Sequence, residues 1–209
     1  MAKDIAVLIT KKNGDVHQVY RTSRGGLTLS RKDAKGFRFN AKNKPAIKKW
    51  AKKRGYKTIE FTTKQNPFVV YDTTTSDGDE ATGRVIQPLE KKLNEVGRMI
   101  KRKLFVGEGK RSAKAQWVFY MAYLNGHGNL AARCCTKYAP GVKHSWANCG
   151  KNSQSNHFTG RAADTVIMPA WNNIGTSSAA VKAMRKVGLG LPVGGENWHV
   201  EISNSFNGL

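Results

Sequence analysis

The segment SQSNHFTGRAADTVIM, residues 153–168, constrains the fold more than any other part of the chain. It places His157 and Asp164 seven residues apart, with Gly160 between them. On an α-helix this separation is about two turns, so the side chains share a face but cannot meet at one atom. On a straight strand they point to opposite faces. They converge only if the chain turns, which glycine permits. An imidazole and a carboxylate that a turn brings together suggest a metal site.

A second group of polar residues lies near the C-terminus, in GGENWHVEI. Glu196 precedes His199 by three residues, and the pair Gly194-Gly195 lets the backbone bend just before it. In WHVEI, apolar residues alternate with His199 and Glu201, which predicts a half-buried strand with both polar side chains on its other face. Glu196 can therefore lie beside a metal that His199 binds.

These residues outline a hydrolytic zinc site. Two histidines and one aspartate can serve as ligands, and the glutamate is then free for catalysis. Three protein ligands leave the fourth position of a tetrahedral zinc ion open. A neighbouring carboxylate can then accept a proton from the attacking water. Taken singly, Asp164 fits a turn cap and His199 fits a core histidine. The spacing of polar residues around both of them favours the metal site.

The same residues form motifs of a known family. SNHFTGRAAD follows the pattern Ser-x-His-x-x-Gly-x-Ala-x-Asp, and ENWH follows Glu-x-Trp-His. Together they resemble the zinc D-alanyl-D-alanine carboxypeptidases and the related L-alanyl-D-glutamate peptidases of bacteriophage endolysins. Upstream, KRSAKAQ is similar to that family's Arg-Ser-x-x-x-Gln segment, although Lys110 stands where the family has an aromatic residue. The resemblance covers about residues 86–209.

This resemblance implies a fold, a cofactor and a set of site residues. The fold would be a small α+β domain of the Hedgehog/DD-peptidase type, with an antiparallel sheet that carries Zn²⁺. Residues at the matching positions would be the zinc ligands His157, Asp164 and His199, the general base Glu196, and the substrate-side residues Arg111, Gln116 and Ser155. Arg111 would stabilise the oxyanion or hold a substrate carboxylate, as guanidinium groups do.

Turn signals and periodicity divide the chain into two parts. Asn13-Gly14 predicts a hairpin, PAIKKWAKKRG predicts a helix that starts near Pro45, and TIEFTT and FVVYDT predict strands. Residues 1–75 are thus predicted to form a small basic α+β accessory domain, and the polar run after them predicts a linker at 76–85. The second domain, 86–209, has helical periodicity over 88–103, 112–124 and 176–188.

The charge of the chain is strongly positive and unevenly distributed. The net charge is +22, from 36 basic and 14 acidic residues. Residues 1–66 hold 18 of the basic residues but only 4 of the acidic ones, a net of +14. Such a field attracts polyanions at low and moderate salt. An anionic cell-wall polymer, a nucleic acid and a membrane surface all fit, so charge alone does not identify the partner.

Apolar runs in the chain are short. No segment approaches the ~20 apolar residues of a membrane helix. The N-terminal apolar run has five residues, whereas a secretory signal has roughly 7–15. We therefore expect synthesis in a host cytoplasm without a signal peptide. For an endolysin-like enzyme, action on the wall would follow release by a holin or delivery as a virion component.

The leading hypothesis is a zinc peptidase that hydrolyses the peptide stem of peptidoglycan, with the accessory domain binding the wall or docking on phage virion proteins. A second hypothesis is a virion structural protein with a degenerate peptidase domain. A third is a basic nucleic-acid-binding protein, a class whose signature is clustered lysine and arginine. All catalytic-type residues are present, which favours the enzyme. The stem bond that is cut stays open.

Overall fold

The computed structural model describes residues 5–32, 34–36, 38–72, 83–126 and 155–209. These ranges have a mixed α+β architecture, as the sequence predicts. Four α-helices lie in them: α1 (Lys44–Lys53), α2 (Gln87–Ile100), α3 (Ala113–Leu124) and α4 (Ser178–Val187). No helix in these ranges is long and apolar enough to cross a membrane. Most of the predicted linker at 76–85 lies outside the described residues.

The N-terminal part contains two small antiparallel sheets and one helix. The first sheet has the order β2-β1-β6, from β1 (Ala6–Thr10), β2 (Val16–Gln18) and β6 (Thr58–Thr62). The second has the order β4-β3-β5, from β3 (Tyr20–Thr22), β4 (Leu27–Thr28) and β5 (Ala34–Gly36). Helix α1 buries Ile47 and Ala51. The predicted hairpin and the predicted helix are both confirmed.

The C-terminal part is built on a five-stranded sheet. Its strands are β7 (Val69–Tyr71), β8 (Leu104–Glu108), β9 (Ala162–Ile167), β10 (Asn172–Asn173) and β11 (His199–Glu201). Strand β9 pairs with β8, β10 and β11, all antiparallel, whereas β7 pairs with β8 in parallel. Helices α2 and α4 contribute Leu89, Leu93 and Met184 to the core beneath the sheet. This core fixes the strands that carry the candidate site.

Strand β7 joins the second sheet although the predicted division of the chain assigns it to residues 1–75. Its neighbour Glu90, on α2, accepts hydrogen bonds from Asn66, Tyr71 and Arg84. Burial raises the pKa of Glu90, but these hydrogen bonds together hold the pKa below its ordinary value. The ionised carboxylate thus ties the segment before the linker to the C-terminal core.

Helix α3 differs from its prediction in the face that it buries. Helical spacing in the sequence predicts a core stripe through Ala113, Trp117, Tyr120 and Leu124. Tyr120 is buried, but Leu124 is 49% exposed. Apolar residues occur on every side of this helix, so helical periodicity does not define a single buried face.

Candidate metal centre

A turn and two neighbouring strands bring the predicted metal ligands together. His157 lies in the turn at 156–160, where Gly160 adopts a φ of +70°. The chain then enters β9, which carries Asp164. Strand β11 runs antiparallel beside it, and His199 is the direct register partner of Asp164. The turn predicted at Gly160 is therefore present, and it lets His157 fold back over the strand pair.

The ligand atoms of these three residues lie close to one another. His157 Nε2 is 3.1 Å from His199 Nδ1. Asp164 Oδ1 is 3.2 Å from His199 Nδ1 and 3.3 Å from His157 Nε2. Both histidines are buried, whereas the Asp164 side chain is 25% exposed. The triad can hold a metal ion, and its open side is the side of the aspartate.

The outward nitrogen of His157 is occupied by a backbone carbonyl. Its Nδ1 lies 2.9 Å from the carbonyl oxygen of Gly109. A carbonyl oxygen only accepts hydrogen bonds, so Nδ1 carries the proton. In the neutral imidazole the lone pair is then on Nε2, which faces the other two ligand atoms. The contact with Gly109 thus sets His157 to bind a cation through Nε2.

The outward nitrogen of His199 is held by a carboxylate. His199 Nε2 lies 2.8 Å from Glu201 Oε1, and Glu201 Oε2 accepts a hydrogen bond from Asn156 Nδ2 at 2.7 Å. Burial raises the pKa of Glu201, but the hydrogen bonds from His199 and Asn156 hold the pKa below its ordinary value. The ionised carboxylate only accepts, so Nε2 carries the proton and Nδ1 presents its lone pair.

With both imidazoles neutral, three hydrogen-bond acceptors converge on one point. A proton on either facing nitrogen turns that nitrogen into a donor to Asp164. Burial raises the pKa of Asp164, but the hydrogen bonds with the two imidazoles keep the pKa well below its ordinary value. Burial lowers the pKa of His199, but hydrogen bonds with Asp164 and Glu201 raise it to about 9. The site thus favours a positive charge among these atoms. A metal cation supplies that charge and uses all three lone pairs.

Glu196 lies near the point where the three ligand atoms converge. It is on the Nδ1 side of the His199 ring, whereas Glu201 is on the Nε2 side. Glu196 Oε2 is 3.7 Å from His199 Nδ1, the ligand nitrogen, and its side chain is 22% exposed. The turn that places it contains Gly195 at a φ of +79°, a conformation that glycine adopts readily. Burial raises the pKa of Glu196, and the charge of Asp164 adds to the rise. A raised pKa brings a carboxylate nearer to the range of an effective general base.

Two of the predicted substrate-side residues, Arg111 and Gln116, form a hydrogen-bonded group with Glu108 next to the triad. Arg111 donates through Nη1 to Gln116 Oε1 at 2.7 Å, and through Nε and Nη2 to the carboxylate of Glu108. The Arg111 backbone N–H donates to the carbonyl oxygen of His157 at 3.0 Å. Its guanidinium also lies 4.4 Å from the ring centroid of Phe119. Arg111 is thus held in one orientation beside the metal ligands.

Ser155 and Gln116 are both buried. The Ser155 carbonyl accepts a hydrogen bond from the Phe158 backbone N–H at 3.1 Å, which closes the turn around His157. The backbone of Ser155 therefore belongs to the turn that carries His157. The role of its side chain in orienting the substrate or a metal ligand stays a prediction.

Sequence reasoning missed three supporting groups: the Gly109 carbonyl, the Asn156 amide and the Glu108 carboxylate. Asn156 sits inside the first motif, and Glu108 lies three residues before Arg111. No spacing rule identifies Gly109 as the partner of His157, because the contact joins residues 48 positions apart. Glu201 was detectable, since strand alternation places it on the same face as His199.

Glu201 should act as a positioning residue for His199 rather than as a base. Replacing it by alanine removes the acceptor of the Nε2 proton and should weaken metal affinity by about 10–100-fold, the usual effect of losing such a partner. Glu201→Gln keeps an acceptor oxygen without the charge, so a smaller loss is expected. Titration with a fluorescent metal chelator measures both. The matched control is Glu60→Gln, at an exposed carboxylate; unchanged affinity in Glu201→Ala would contradict the role.

Comparisons with protein-family models, with curated proteins and with solved structures find no match for this chain.

Proposed function

We propose that this chain is a zinc-dependent peptidase that hydrolyses the peptide stem of bacterial peptidoglycan. The observation that carries the proposal is the convergence of three acceptor atoms, from His157, Asp164 and His199, with the carboxylate of Glu196 at their edge. Three ligands and an additional carboxylate are the arrangement of a catalytic metal site, whereas structural zinc sites normally supply four protein ligands.

The chemistry and spacing of the ligands support zinc. Two imidazole nitrogens and one carboxylate oxygen suit zinc better than magnesium or calcium, which prefer oxygen ligands. Atoms 2.0–2.2 Å from a tetrahedral zinc ion lie about 3.3–3.6 Å from one another. The three atoms here are 3.1, 3.2 and 3.3 Å apart. Contacts with Gly109 and Glu201 also fix both rings in the orientation that binding requires.

Each residue of the site then has a distinct role. A zinc ion held by the triad would supply Lewis acidity, which activates water and polarises the scissile carbonyl. Glu196 would accept the proton of the attacking water and pass it to the leaving amine. Arg111, held by Glu108 and Gln116, would present its remaining N–H groups to the oxyanion or to a substrate carboxylate.

Peptidoglycan as the substrate is supported by the motifs and by the charge. The first motif, its Glu-x-Trp-His partner and the segment from Arg111 to Gln116 resemble peptidases that cut stem peptides. The excess of positive charge in residues 1–66 suits an anionic wall. We infer a phage enzyme that acts after holin release or as part of a virion. A degenerate virion protein fits less well, because the ligands, Glu196 and Arg111 lie together in one site.

Digestion of purified peptidoglycan tests the proposed function directly. The zinc-loaded chain should release fragments whose masses correspond to cleavage within the stem peptide or its cross-bridge, and mass spectrometry of the fragments identifies the bond. Glu196→Gln, loaded with zinc in the same way, is the control and should release far less. Fragments from cleavage between sugars, or none from the zinc-loaded chain, would contradict the proposal.

A further inference from the structure

Helix α1 separates an apolar face from a face made of lysines. Ile47 and Ala51 are one turn apart and both are buried, so this side of the helix faces the N-terminal core. The opposite side carries four exposed lysines: Lys48, Lys49, Lys52 and Lys53. We call these four residues the lysine face.

The lysine face places like charges next to one another along the helix. Lys48 and Lys52, and likewise Lys49 and Lys53, are four residues apart, a spacing at which side chains are neighbours and like charges disfavour the helix. The sequence of α1 contains no acidic residue that could offset them. An anionic ligand along this face would remove the repulsion.

Carboxylates of the N-terminal part are engaged elsewhere. Within residues 5–64, as far as the structure describes them, the acidic residues are Asp15 and Glu60. Asp15 pairs with Arg102 at 2.6 Å and Glu60 pairs with Lys103, so both neutralise charges of the C-terminal part. Among the described residues no carboxylate pairs with the lysine face. Its charge is therefore directed to solvent.

Aromatic residues fix the C-terminal end of the helix. The guanidinium of Arg54 lies 4.7 Å from the centroid of Trp50, whose ring packs 5.4 Å from that of Tyr56. Arg54 is itself exposed, so a fifth cation extends the row beyond α1. The row is thus presented on a packed element rather than on a free chain end.

We propose that the lysine face binds the anionic phosphodiester polymer of the bacterial cell wall and holds the peptidase at its substrate. The choice of this polymer rests on the proposed function. Lysine ammonium groups are point charges that attract phosphate without the planar geometry of a guanidinium. A flexible polymer with regularly spaced phosphodiesters can follow such a row, since no fixed shape is required of it.

Two charge-matched triple variants test the proposal. Lys48, Lys49 and Lys52 are changed to glutamine in one, and Lys91, Lys182 and Lys186, exposed lysines of the C-terminal part, in the other. Both carry Glu196→Gln so that the walls stay intact, and each full-length chain is co-sedimented with purified walls. The first triple should bind about 10-fold or more weakly at low salt, because each lysine near an anionic surface contributes several-fold to affinity. The second should bind nearly as well as its parent.

Stripped walls and duplex DNA, used in addition to intact walls, identify the ligand. Walls stripped of phosphodiester polymer should bind the parent and both triples equally weakly, and strong parent binding to stripped walls would overturn the proposal. Equal losses in the two triples would also overturn it, since net charge would then explain the binding. Duplex DNA is the third probe: if the first triple lost affinity for DNA but kept its affinity for walls, the face would be a nucleic-acid surface and the proposal would be wrong.

Activity on soluble muropeptide distinguishes a failure of the proposed peptidase function from a failure of the lysine-face proposal. The lysine-face triple with Glu196 intact should hydrolyse soluble muropeptide as fast as the unmodified chain, because the helix lies outside the site. The other outcome is that the unmodified chain cuts no muropeptide while wall binding still depends on the lysine face. That result would contradict the proposed peptidase activity and would support the proposed binding surface.

Discussion

Replacing His157, Asp164 or His199 by alanine should reduce the zinc content of the purified chain from about one ion to a small fraction and should abolish wall hydrolysis. Each substitution removes one of only three protein ligands, so we expect zinc affinity to fall by about 10²–10³-fold or more. Elemental analysis gives the zinc content, and a chelator competition gives the affinity. In the unmodified chain EDTA should abolish hydrolysis and added Zn²⁺ should restore it.

His17→Ala is the matched control for this series. His17 is a largely buried histidine of the N-terminal part, and its Nε2 is 3.9 Å from Asp15 rather than near the triad. Its loss should leave zinc content and hydrolysis unchanged. Full zinc occupancy in His199→Ala would show that His199 is not a zinc ligand. The proposed peptidase would then lack its third protein ligand.

Glu196→Gln should bind zinc normally, stay folded and hydrolyse stem peptide about 10²–10⁴-fold more slowly. Glutamine keeps the shape and the hydrogen-bonding reach of the side chain but cannot accept the proton of the attacking water. Because Glu196 is 3.7 Å from His199 Nδ1 without being one of the three convergent ligand atoms, the substitution separates catalysis from metal binding. The measurements are zinc content and kcat on soluble muropeptide.

Glu201→Gln is the informative partner of that variant. Both glutamates lie within three residues of His199, but Glu201 contacts the outward Nε2 and Glu196 lies near the ligand Nδ1. Glu201→Gln should therefore weaken zinc binding while kcat at saturating zinc stays within a few-fold of normal. Near-normal turnover in Glu196→Gln together with collapse in zinc-saturated Glu201→Gln would reverse the two roles.

Local sequence was sufficient for the features that depend on neighbouring residues. The hairpin at Asn13-Gly14 and helix α4 follow from turn and capping chemistry, and both are present. Capping chemistry leaves Ser177 and Ser178 as alternatives for the N-cap of α4, and the structure has Ser177. The turn between His157 and Asp164 follows from the same kind of argument, because no helix or straight strand lets those two side chains meet. The choice of His157 and Asp164 as candidate ligands required no tertiary information beyond that turn, whereas His199 was chosen from the separate segment GGENWHVEI.

Helix α3 and strand β7 mark where local pattern was insufficient. A helix with apolar residues on every side has no periodic signal for its buried face. The residues of the segment Val69–Tyr71 favour a strand, but they do not determine which sheet the strand joins. Its parallel pairing with β8 and the hydrogen bonds of Asn66 and Tyr71 to Glu90 decide the choice. These contacts join residues that only the folded chain brings together.

The sequence by itself determined which residues can bind a metal: two histidines, an aspartate and a nearby glutamate, with a turn that lets them meet. Tertiary structure alone decided which atoms of these residues are available to bind a metal. The register of β11 on β9 sets His199 opposite Asp164, the Gly109 carbonyl selects Nε2 of His157, and Glu201 selects Nδ1 of His199. The physical reason is that an imidazole offers either nitrogen, and the choice depends on which acceptor the fold places against the other one.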